Sequence, residues 1–516
     1  MRLDIERNTF SILCPEGQET VAQATTAPAF FHDLNLDQIV EALADGREDY
    51  NLTPFFYSPP TDLRTITYRQ QVMHDLENDD VMAAVQTFSK HMKQMRAELP
   101  GEKGHYYSYE RERCILDGAE SYCQAVMELA DSLAGMTLTS DGMQAFRDYL
   151  IAYAGSHHFG ALQAEAASVL SELSSIRYCL LIKEDTVTVR CFEDEEDYSV
   201  AVERTFEKFR QAPAKDYRFK NLTSGGMNHI QAQVVEQLAR LYPDIFDALE
   251  NFCEAHSDYL DDTISRFDRE VQFYIAYLSY VDKLRQAGLS FCYPQLSRES
   301  KEIDCRDSFD LALAVQLLRD DALVVTNDFS LSGSERILVV SGPNQGGKTT
   351  FARMFGQVHY LARLGVPVPG TQARLFLFDH LFTHFEREED IETLRGKLAE
   401  ELVQIRRVLD QATPNSIVIM NEMFSSTMLK DAVYLSKEIM TKVSDRDLIG
   451  VCVTFLDELA SFNEKTVSMV GGVDPENPEV RTYKLARMPA NGLAYALAIA
   501  QKYHVTHDWL RKRMSA

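Results

Sequence analysis

Apolar residues recur at helical spacing through most of the first 300 residues. In the clearest case the intervals alternate between four and three residues. The positions are Leu260, Ile264, Phe267, Val271, Tyr274, Leu278 and Val281. This period predicts one long helix with a single apolar seam, ended by Gly288 and Pro294. A shorter helix is predicted over residues 230–241, with Pro243 interrupting it. We therefore predict an all-α domain over residues 31–300.

A small β-hairpin is predicted inside this helical domain, near residues 178–192. Tyr178–Ile182 and Thr186–Arg190 are rich in β-forming residues, and three polar residues join them. A cationic segment follows the hairpin. Its candidate polyanion contacts are Arg204, Lys208, Arg210 and Lys215. Such a segment is typical of a solvated face, and it is also the first candidate for binding a polyanion.

After about residue 301 the pattern changes to strands alternating with helices. The predicted strands are Ile337–Ser341, Leu375–Phe378, Ser416–Met420 and Leu448–Thr454, and the predicted helices are Thr350–Leu364, Glu389–Leu409 and Ala432–Val443. Val467–Val470 and Val480–Leu485 flank a Pro-rich turn and predict a late hairpin. This alternation is typical of an α/β domain, here residues 301–516 with a C-terminal helical tail. Residues 1–30 are weakly patterned and form an unassigned N-terminal arm.

A glycine-rich motif joins the first predicted strand of this domain to its helix. It reads Gly342, Pro343, Asn344, Gln345, Gly346, Gly347, Lys348, Thr349 and Thr350. We call this motif the phosphate loop. Glycine lets backbone N–H groups approach a phosphate, and the following helix N-terminus favours an anion. The lysine of such a motif reaches the outer phosphates, and the hydroxyl after it binds Mg²⁺. The motif therefore predicts that ATP phosphates and Mg²⁺ bind here, with Thr349 as a metal ligand.

Two polar residues, Asn421 and Glu422, follow the predicted buried strand Ser416–Met420. In P-loop ATPases a carboxylate at the strand end holds the metal, and a further residue orients the attacking water. Asn421 keeps an acceptor oxygen but lacks the charge, so we expect weaker metal binding. Glu422 is the predicted catalytic base.

Composition limits the remaining possibilities. A chain of 516 residues is too long for one core, so two to four domains are expected. No apolar run is long enough for a membrane span, and the first residues do not read as a signal peptide. Nine cysteines without a Cys-x-x-Cys pair predict reduced thiols in the cytoplasm and no zinc site. The net charge of −26 opposes non-specific attraction to nucleic acid.

Several motifs together resemble the ATPase of MutS-type DNA mismatch repair proteins. Besides the phosphate loop with Asn344, the matching segments are Leu364–Pro369, Asp379–Thr383, Asn421–Glu422, Ser425–Thr427 and Tyr495–Ala500. The likeness covers roughly residues 320–505 and extends weakly into the helical half. It implies helical core and lever domains before an ABC-like P-loop ATPase domain, ATP and Mg²⁺ as ligands, and a homodimer. It also implies that Asn327 contacts the adenine.

The departures from this family predict altered catalysis. The resemblance places the family's metal-binding Asp at Asn421, its γ-phosphate-sensing His at Phe455 and its trans-acting Ser at Gly396. The phosphate-binding residues are intact, so we predict ATP binding with weak or slow hydrolysis. The family's N-terminal mismatch-recognition domain has no visible counterpart, and we expect a short family member that prefers branched DNA over single mismatches.

Two functions remain open at this point. The first is a MutS-like protein with ATP-dependent DNA-binding or clamp activity, related to mismatch repair or branched-DNA processing. The alternative is a nucleotide-binding switch or scaffold that binds a protein partner and no DNA. The negative charge and the three altered residues favour the second function, whereas the motifs and the long helices favour the first.

Overall fold

The computed structural model describes residues 10–16, 24–99, 107–184, 186–193, 227–386, 396–425, 427–474, 481–490, 511 and 513. The chain forms two compact units. The first comprises residues 1–77, 139–142 and 269–516, and the second comprises residues 78–138 and 143–268. These divisions differ from the predicted boundaries at residues 30 and 300. The reason is that residues before 78 pack against the helix that follows the phosphate loop.

Ten α-helices, one 3₁₀-helix (Glu48–Tyr50) and four strands of the described residues precede residue 300. The helices of this half are α1 (Leu36–Ala44), α2 (Thr53–Tyr57), α3 (Leu63–Leu76), α4 (Asp79–Glu98), α5 (Ser108–Ala134), α6 (Asp141–Ala154), α7 (His157–Ser175), α8 (His229–Leu241), α9 (Pro243–Ala255) and α10 (Asp262–Gln286). The strands are β1 (Tyr178–Lys183), β2 (Thr186–Cys191), β3 (Phe291–Cys292) and β4 (Gln295–Ser297). Among the described residues, no helix is long and apolar enough to cross a membrane.

The predicted long helix is confirmed as α10. Its seam residues from Ile264 to Val281 are buried, and Gly288 follows the helix with φ +86°. The chain turns at Pro243 between α8 and α9, as expected. The predicted hairpin is confirmed by the antiparallel pairing of β1 with β2. The cationic segment with Arg204, Lys208, Arg210 and Lys215 lies outside the described residues.

The second half alternates strands and helices. The strands are β5 (Ile303–Ser308), β6 (Asn327–Leu331), β7 (Ile337–Ser341), β8 (Val368–Pro369), β9 (Gln372–Phe376), β10 (Leu381–Phe385), β11 (Ile417–Asn421), β12 (Ile449–Val453), β13 (Thr466–Val473) and β14 (Arg481–Arg487). The helices are α11 (Leu311–Arg319), α12 (Lys348–Leu364), α13 (Lys397–Gln411), α14 (Leu429–Asp445) and α15 (Asp457–Ala460). The chain is thus multidomain, with helices and mixed sheets.

A six-stranded sheet carries the phosphate loop. Its strand order is β10-β11-β12-β7-β13-β14, and every neighbouring pair is parallel except β13 with β14. Strands β7, β11 and β12 are buried along their whole length, as near-continuous apolar runs predict. Helices α13 and α14 cover one region of this sheet with a shared apolar core. The late hairpin prediction is confirmed by β13 and β14.

The prediction for the segment around residues 375–385 was wrong in detail. The strand predicted at Leu375–Phe378 ends at Phe376 and joins a separate four-stranded sheet, of order β4-β9-β5-β6. The edge strand of the large sheet is instead β10, which the sequence pattern missed. Thr383 and His384 interrupt its apolar run, so no continuous strand signal was visible. The predicted helix Glu389–Leu409 is described from Lys397 onward.

Candidate functional site

The phosphate loop connects β7 to α12 through two glycines in the left-handed region. Gly342 has φ +126°, and a Cβ there would lie 2.9 Å from the backbone N of Gly471. Gly347 has φ +86° and precedes the first residue of α12. A side chain at Gly342 would meet rigid backbone, so glycine is required at this position. The loop therefore places backbone N–H groups and a helix N-terminus beside one cleft.

Lys348 is the most buried cation of this cleft, with 5% of its surface exposed. Its Nζ donates to the carbonyl oxygens of Gly342 and Pro343, each at 3.1 Å. The same Nζ lies 4.2 Å from the centre of the Phe455 ring. Burial lowers the pKa of Lys348, and the Glu422 carboxylate opposes this shift. The lysine is thus held within the loop by carbonyls and by an aromatic face.

Two neutral oxygens meet where a metal ion would be held. The Thr349 hydroxyl donates to Oδ1 of Asn421 at 3.0 Å, across the gap between α12 and β11. Oxygen atoms are the ligands that Mg²⁺ prefers, so this pair fits the ion, although neither residue supplies a charge. No group of three or more histidine, cysteine or acidic side chains able to hold a metal occurs in the described part of the chain. Phosphate oxygens would therefore provide most of the negative charge around Mg²⁺.

Glu422 follows β11 at the mouth of the same cleft. Its backbone N–H donates to the carbonyl of Val453 at 2.9 Å, and its φ is +57°. Burial raises the pKa of Glu422, Lys348 lowers it, and Glu386 raises it further. A carboxylate with a raised pKa suits a group that takes a proton from water.

The cleft extends beyond the phosphate loop along an apolar wall and has a volume of about 910 Å³. Its lining includes the predicted residues Asn327, Asn344, Gln345, Gly346, Gly347, Lys348, Thr349, Thr350 and Glu422. The apolar wall comes from α11 and the segment after it, for example Leu313, Leu317 and Val325. Pockets of this size commonly take small molecules. The structure thus brings together residues from six places in the sequence.

Asn327 also binds the protein backbone. Its Nδ2 donates to the carbonyl of Tyr483 at 3.1 Å, and its Oδ1 accepts from the N–H of Leu485 at 2.7 Å. These bonds fix β14 beside the cleft, whereas contact with an adenine stays a prediction. Tyr483 lines the cleft next to Gly347, and the sequence analysis missed it. No local motif marks this residue, because it reaches the cleft through strand pairing with β13.

An ion pair beside Glu422 was also missed. The Glu386 carboxylate accepts from Nζ of Lys397 at 2.6 Å and from the Ser425 hydroxyl at 2.9 Å. Hydrogen bonds from Lys397 and Ser425 lower the pKa of Glu386. Gly396, where the resemblance places a serine, directly precedes α13 and Lys397. The ion pair joins the end of β10 to the start of α13, 11 residues further along the chain.

These features are those expected of a P-loop nucleotide-binding domain. The family model for MutS domain V matches residues 338–504, which begin in β7 and include the phosphate loop and both strand-end residues. The curated proteins that are similar to this chain include proteins named MutS and MutS2. Residues 338–504 therefore match a domain of the MutS family, and the chain is similar to MutS and MutS2 proteins over this region.

The matches cover only part of each relative. The chain is 29% identical over 211 residues to the endonuclease MutS2 of Thermus thermophilus, covering 40% of this chain and 28% of that protein. It is 31% identical over 214 residues to the DNA mismatch repair protein MutS of Desulfovibrio desulfuricans, covering 40% and 22%. A third match, to the MutS of Erythrobacter litoralis, is 26% identical over 300 residues and covers 56% and 34%. The chain thus spans about a third or less of these relatives.

Proposed function

We propose that this protein binds Mg·ATP in the 910 Å³ cleft and hydrolyses it slowly, and that ATP occupancy controls a DNA-binding or clamp activity. The DNA would be of the kind processed in mismatch repair or in branched-DNA metabolism. The observation that supports nucleotide binding best is the position of Lys348, Thr349 and Glu422 in one cleft. The similarity to proteins named DNA mismatch repair protein MutS and endonuclease MutS2 supports the DNA part of the proposal.

The proposed roles follow from the contacts. Backbone N–H groups of residues 344–347 and Nζ of Lys348 bind the phosphates. The hydroxyl of Thr349 and Oδ1 of Asn421 would hold Mg²⁺, which supplies charge stabilisation to the phosphate oxygens. Glu422 accepts the proton of the attacking water. The apolar wall from α11 binds the base, with Asn327 beside it.

Slow turnover follows from three positions. Asn421 brings no negative charge to the metal, and a charged hydrogen-bonding partner is worth about 1.5–3 kcal/mol. The Phe455 side chain has no hydrogen-bond donor for a γ-phosphate. Gly396 lacks a hydroxyl that a partner protomer could use. We therefore propose intact nucleotide binding with weak catalysis. We also propose that the protein is a homodimer, as the resemblance to MutS proteins implies, and that it is located in the cytoplasm.

The decisive experiment is an ATPase assay on the purified chain, alone and with homoduplex, mismatched and four-way-junction DNA. We expect a slow basal rate that branched DNA changes most. Glu422→Gln should abolish turnover and leave ATP bound, whereas Lys348→Ala should weaken binding itself. A rate that Glu422→Gln leaves unchanged would remove Glu422 from the mechanism. Unchanged ATP affinity in Lys348→Ala would place the phosphate site elsewhere.

The second candidate is a nucleotide-dependent switch that binds a protein and no DNA. The net charge of −26 favours it, because DNA binding depends on cationic surface. The two candidates separate in a DNA titration at low salt with and without ATP. Binding that weakens steeply with salt, and that charge reversal at Arg204, Lys208, Arg210 and Lys215 reduces, supports the DNA function. If the protein binds no DNA under any of these conditions, the result supports the switch function.

A further inference from the structure

A second cleft lies at the other end of the phosphate-loop helix. Tyr360 and Arg363, in the last turn of α12, line it together with the segment Phe376–Phe382, and its volume is about 580 Å³. Lys348 and Arg363 are separated by 15 residues of one helix. At a rise of 1.5 Å per residue, the two ends are about 22 Å apart. The second cleft is therefore separate from the nucleotide site.

Two guanidinium groups line this cleft without a carboxylate partner. Arg363 is 9% exposed, and it donates to the carbonyls of Pro60 at 2.9 Å and Asp379 at 2.8 Å. Arg298 is exposed and donates to the carbonyl of Thr61. Neither arginine forms an ion pair with an acidic side chain among the described residues. Burial lowers the pKa of Arg363, and repulsion from Arg298 lowers it further. The nearby Tyr360 and Asp379 oppose this shift.

The one carboxylate in the lining is already engaged. Asp379 accepts from the hydroxyls of Thr413 and Ser416, the latter at 2.8 Å, and from the N–H of His380 at 2.6 Å. Burial raises the pKa of Asp379, but these hydrogen bonds outweigh it and lower the pKa overall. Its oxygens are thus directed at hydroxyl and amide donors. The cleft keeps an excess of positive charge in a chain whose net charge is −26.

The remaining walls are aromatic. Phe30, Tyr360, Phe376, Phe378 and Phe382 line the cleft. The Arg363 guanidinium lies 5.1 Å from the centre of the Phe378 ring, which orients its plane. A volume of about 580 Å³ is within the range of small-molecule pockets. Cationic groups on aromatic walls suit a ligand with a flat apolar body and one anionic group.

We propose that this cleft binds a small organic anion with a planar aromatic body. Its carboxylate or phosphate lies between Arg363 and Arg298, and its ring lies among the phenylalanines. Binding at this end of α12 is independent of the nucleotide proposal, because none of the lining residues belongs to the phosphate loop.

The test uses the full chain and naphthalene-2-carboxylate, with the neutral naphthalene-2-carboxamide as the matched probe. Calorimetric titration should show the carboxylate binding at least about tenfold more tightly, as charge-assisted hydrogen bonds predict. A parallel titration with 2-naphthyl phosphate tells which anionic group is preferred. Arg298→Met should weaken the carboxylate about tenfold. Arg374→Met removes a half-exposed arginine paired with Glu302 outside the cleft, and it should have no effect.

Controls keep the result specific to this cleft. Saturating Mg·ATP should not displace the carboxylate, and Lys348→Ala should not change its affinity. Displacement by ATP would place the probe in the nucleotide site and overturn the proposal. Equal affinity for acid and amide, no binding at millimolar probe, or unchanged binding in Arg298→Met would overturn it too. Because Arg298 is exposed, its substitution is not expected to affect folding, which thermal unfolding checks.

Discussion

Phe455 offers a direct test of the proposed nucleotide site. An ammonium group has three N–H donors. Lys348 uses two of them on the carbonyls of Gly342 and Pro343, and the Phe455 ring lies 4.2 Å from the same Nζ. A phosphate that takes the third donor would therefore compete with the Phe455 ring for the same ammonium group. We predict that Phe455→Ala raises the affinity for Mg·ATP.

The magnitude follows from the surroundings of the pair. Cation–π contacts are worth about 0.5–1 kcal/mol when exposed and about 2 kcal/mol when desolvated. The Phe455 ring is 51% exposed, whereas Lys348 is only 5% exposed, which places this contact near 1 kcal/mol. Because 1.4 kcal/mol is tenfold in affinity, the dissociation constant should fall about fivefold.

Calorimetric titration of Mg·ATP measures this change, with Phe455→Leu as the matched control. Leucine keeps apolar bulk but has no aromatic face, so it should behave like alanine if the cation–π contact is the cause. An affinity that stays equal or falls in Phe455→Ala would refute the reasoning, since the ring would then assist nucleotide binding. If only Phe455→Ala and not Phe455→Leu raises the affinity for Mg·ATP, the cause is the steric bulk of the side chain.

Three further predictions concern the loop, the metal position and pH. Gly342→Ala should abolish ATP binding, because its φ is +126° and the added Cβ would lie 2.9 Å from the Gly471 backbone. The control Gly135→Ala places its Cβ in open space and should leave ATP binding unchanged. Nucleotide titration measures both variants. Asn421→Asp should tighten Mg²⁺ binding about tenfold or more by adding a charge beside Thr349, measured by the Mg²⁺ dependence of ATP binding. Asp268 is buried with a pKa raised by burial to about 6, an effect that Arg96 opposes. Since the folded state binds its proton more tightly, stability due to Asp268 should fall as pH rises from about 4 to 6, and thermal unfolding of Asp268→Asn should lack this component.

The local structure of the phosphate loop could be predicted from the sequence. Its glycines, Lys348 and Thr349 act within nine consecutive residues, and the strand and helix around them have strong periodic patterns. Asn421 and Glu422 were also accessible, because they end an apolar strand. Each of these signals is contained in one short segment, so no knowledge of distant contacts was needed.

The contacts between distant segments could not be predicted. Tyr483 reaches the loop because β14 pairs with β13, and Glu386 meets Lys397 because β10 ends next to the start of α13. Strand β10 itself has polar residues within it, and its place at the sheet edge comes from pairing with β11. A single sequence carries pairing preferences only weakly, since register depends on the partner strand.

The polar face of α12 explains why the compact unit that holds the phosphate loop also includes residues before 78. Arg353, Gln357, Tyr360 and Arg363 follow one another at intervals of four, three and three residues, a stripe that normally indicates a solvated helix face. Here each side chain donates to a backbone carbonyl of an earlier segment, at Asp33, Leu34, Phe56 and Pro60. Gln357 is fully buried. Because buried donors must be paired, removal of residues 33–60 would deprive each of these four side chains of an acceptor along the helix that follows the phosphate loop. The early segment is therefore part of the structure that holds the proposed nucleotide site. A cut at residue 301 would separate α12 from the carbonyls that accept its hydrogen bonds.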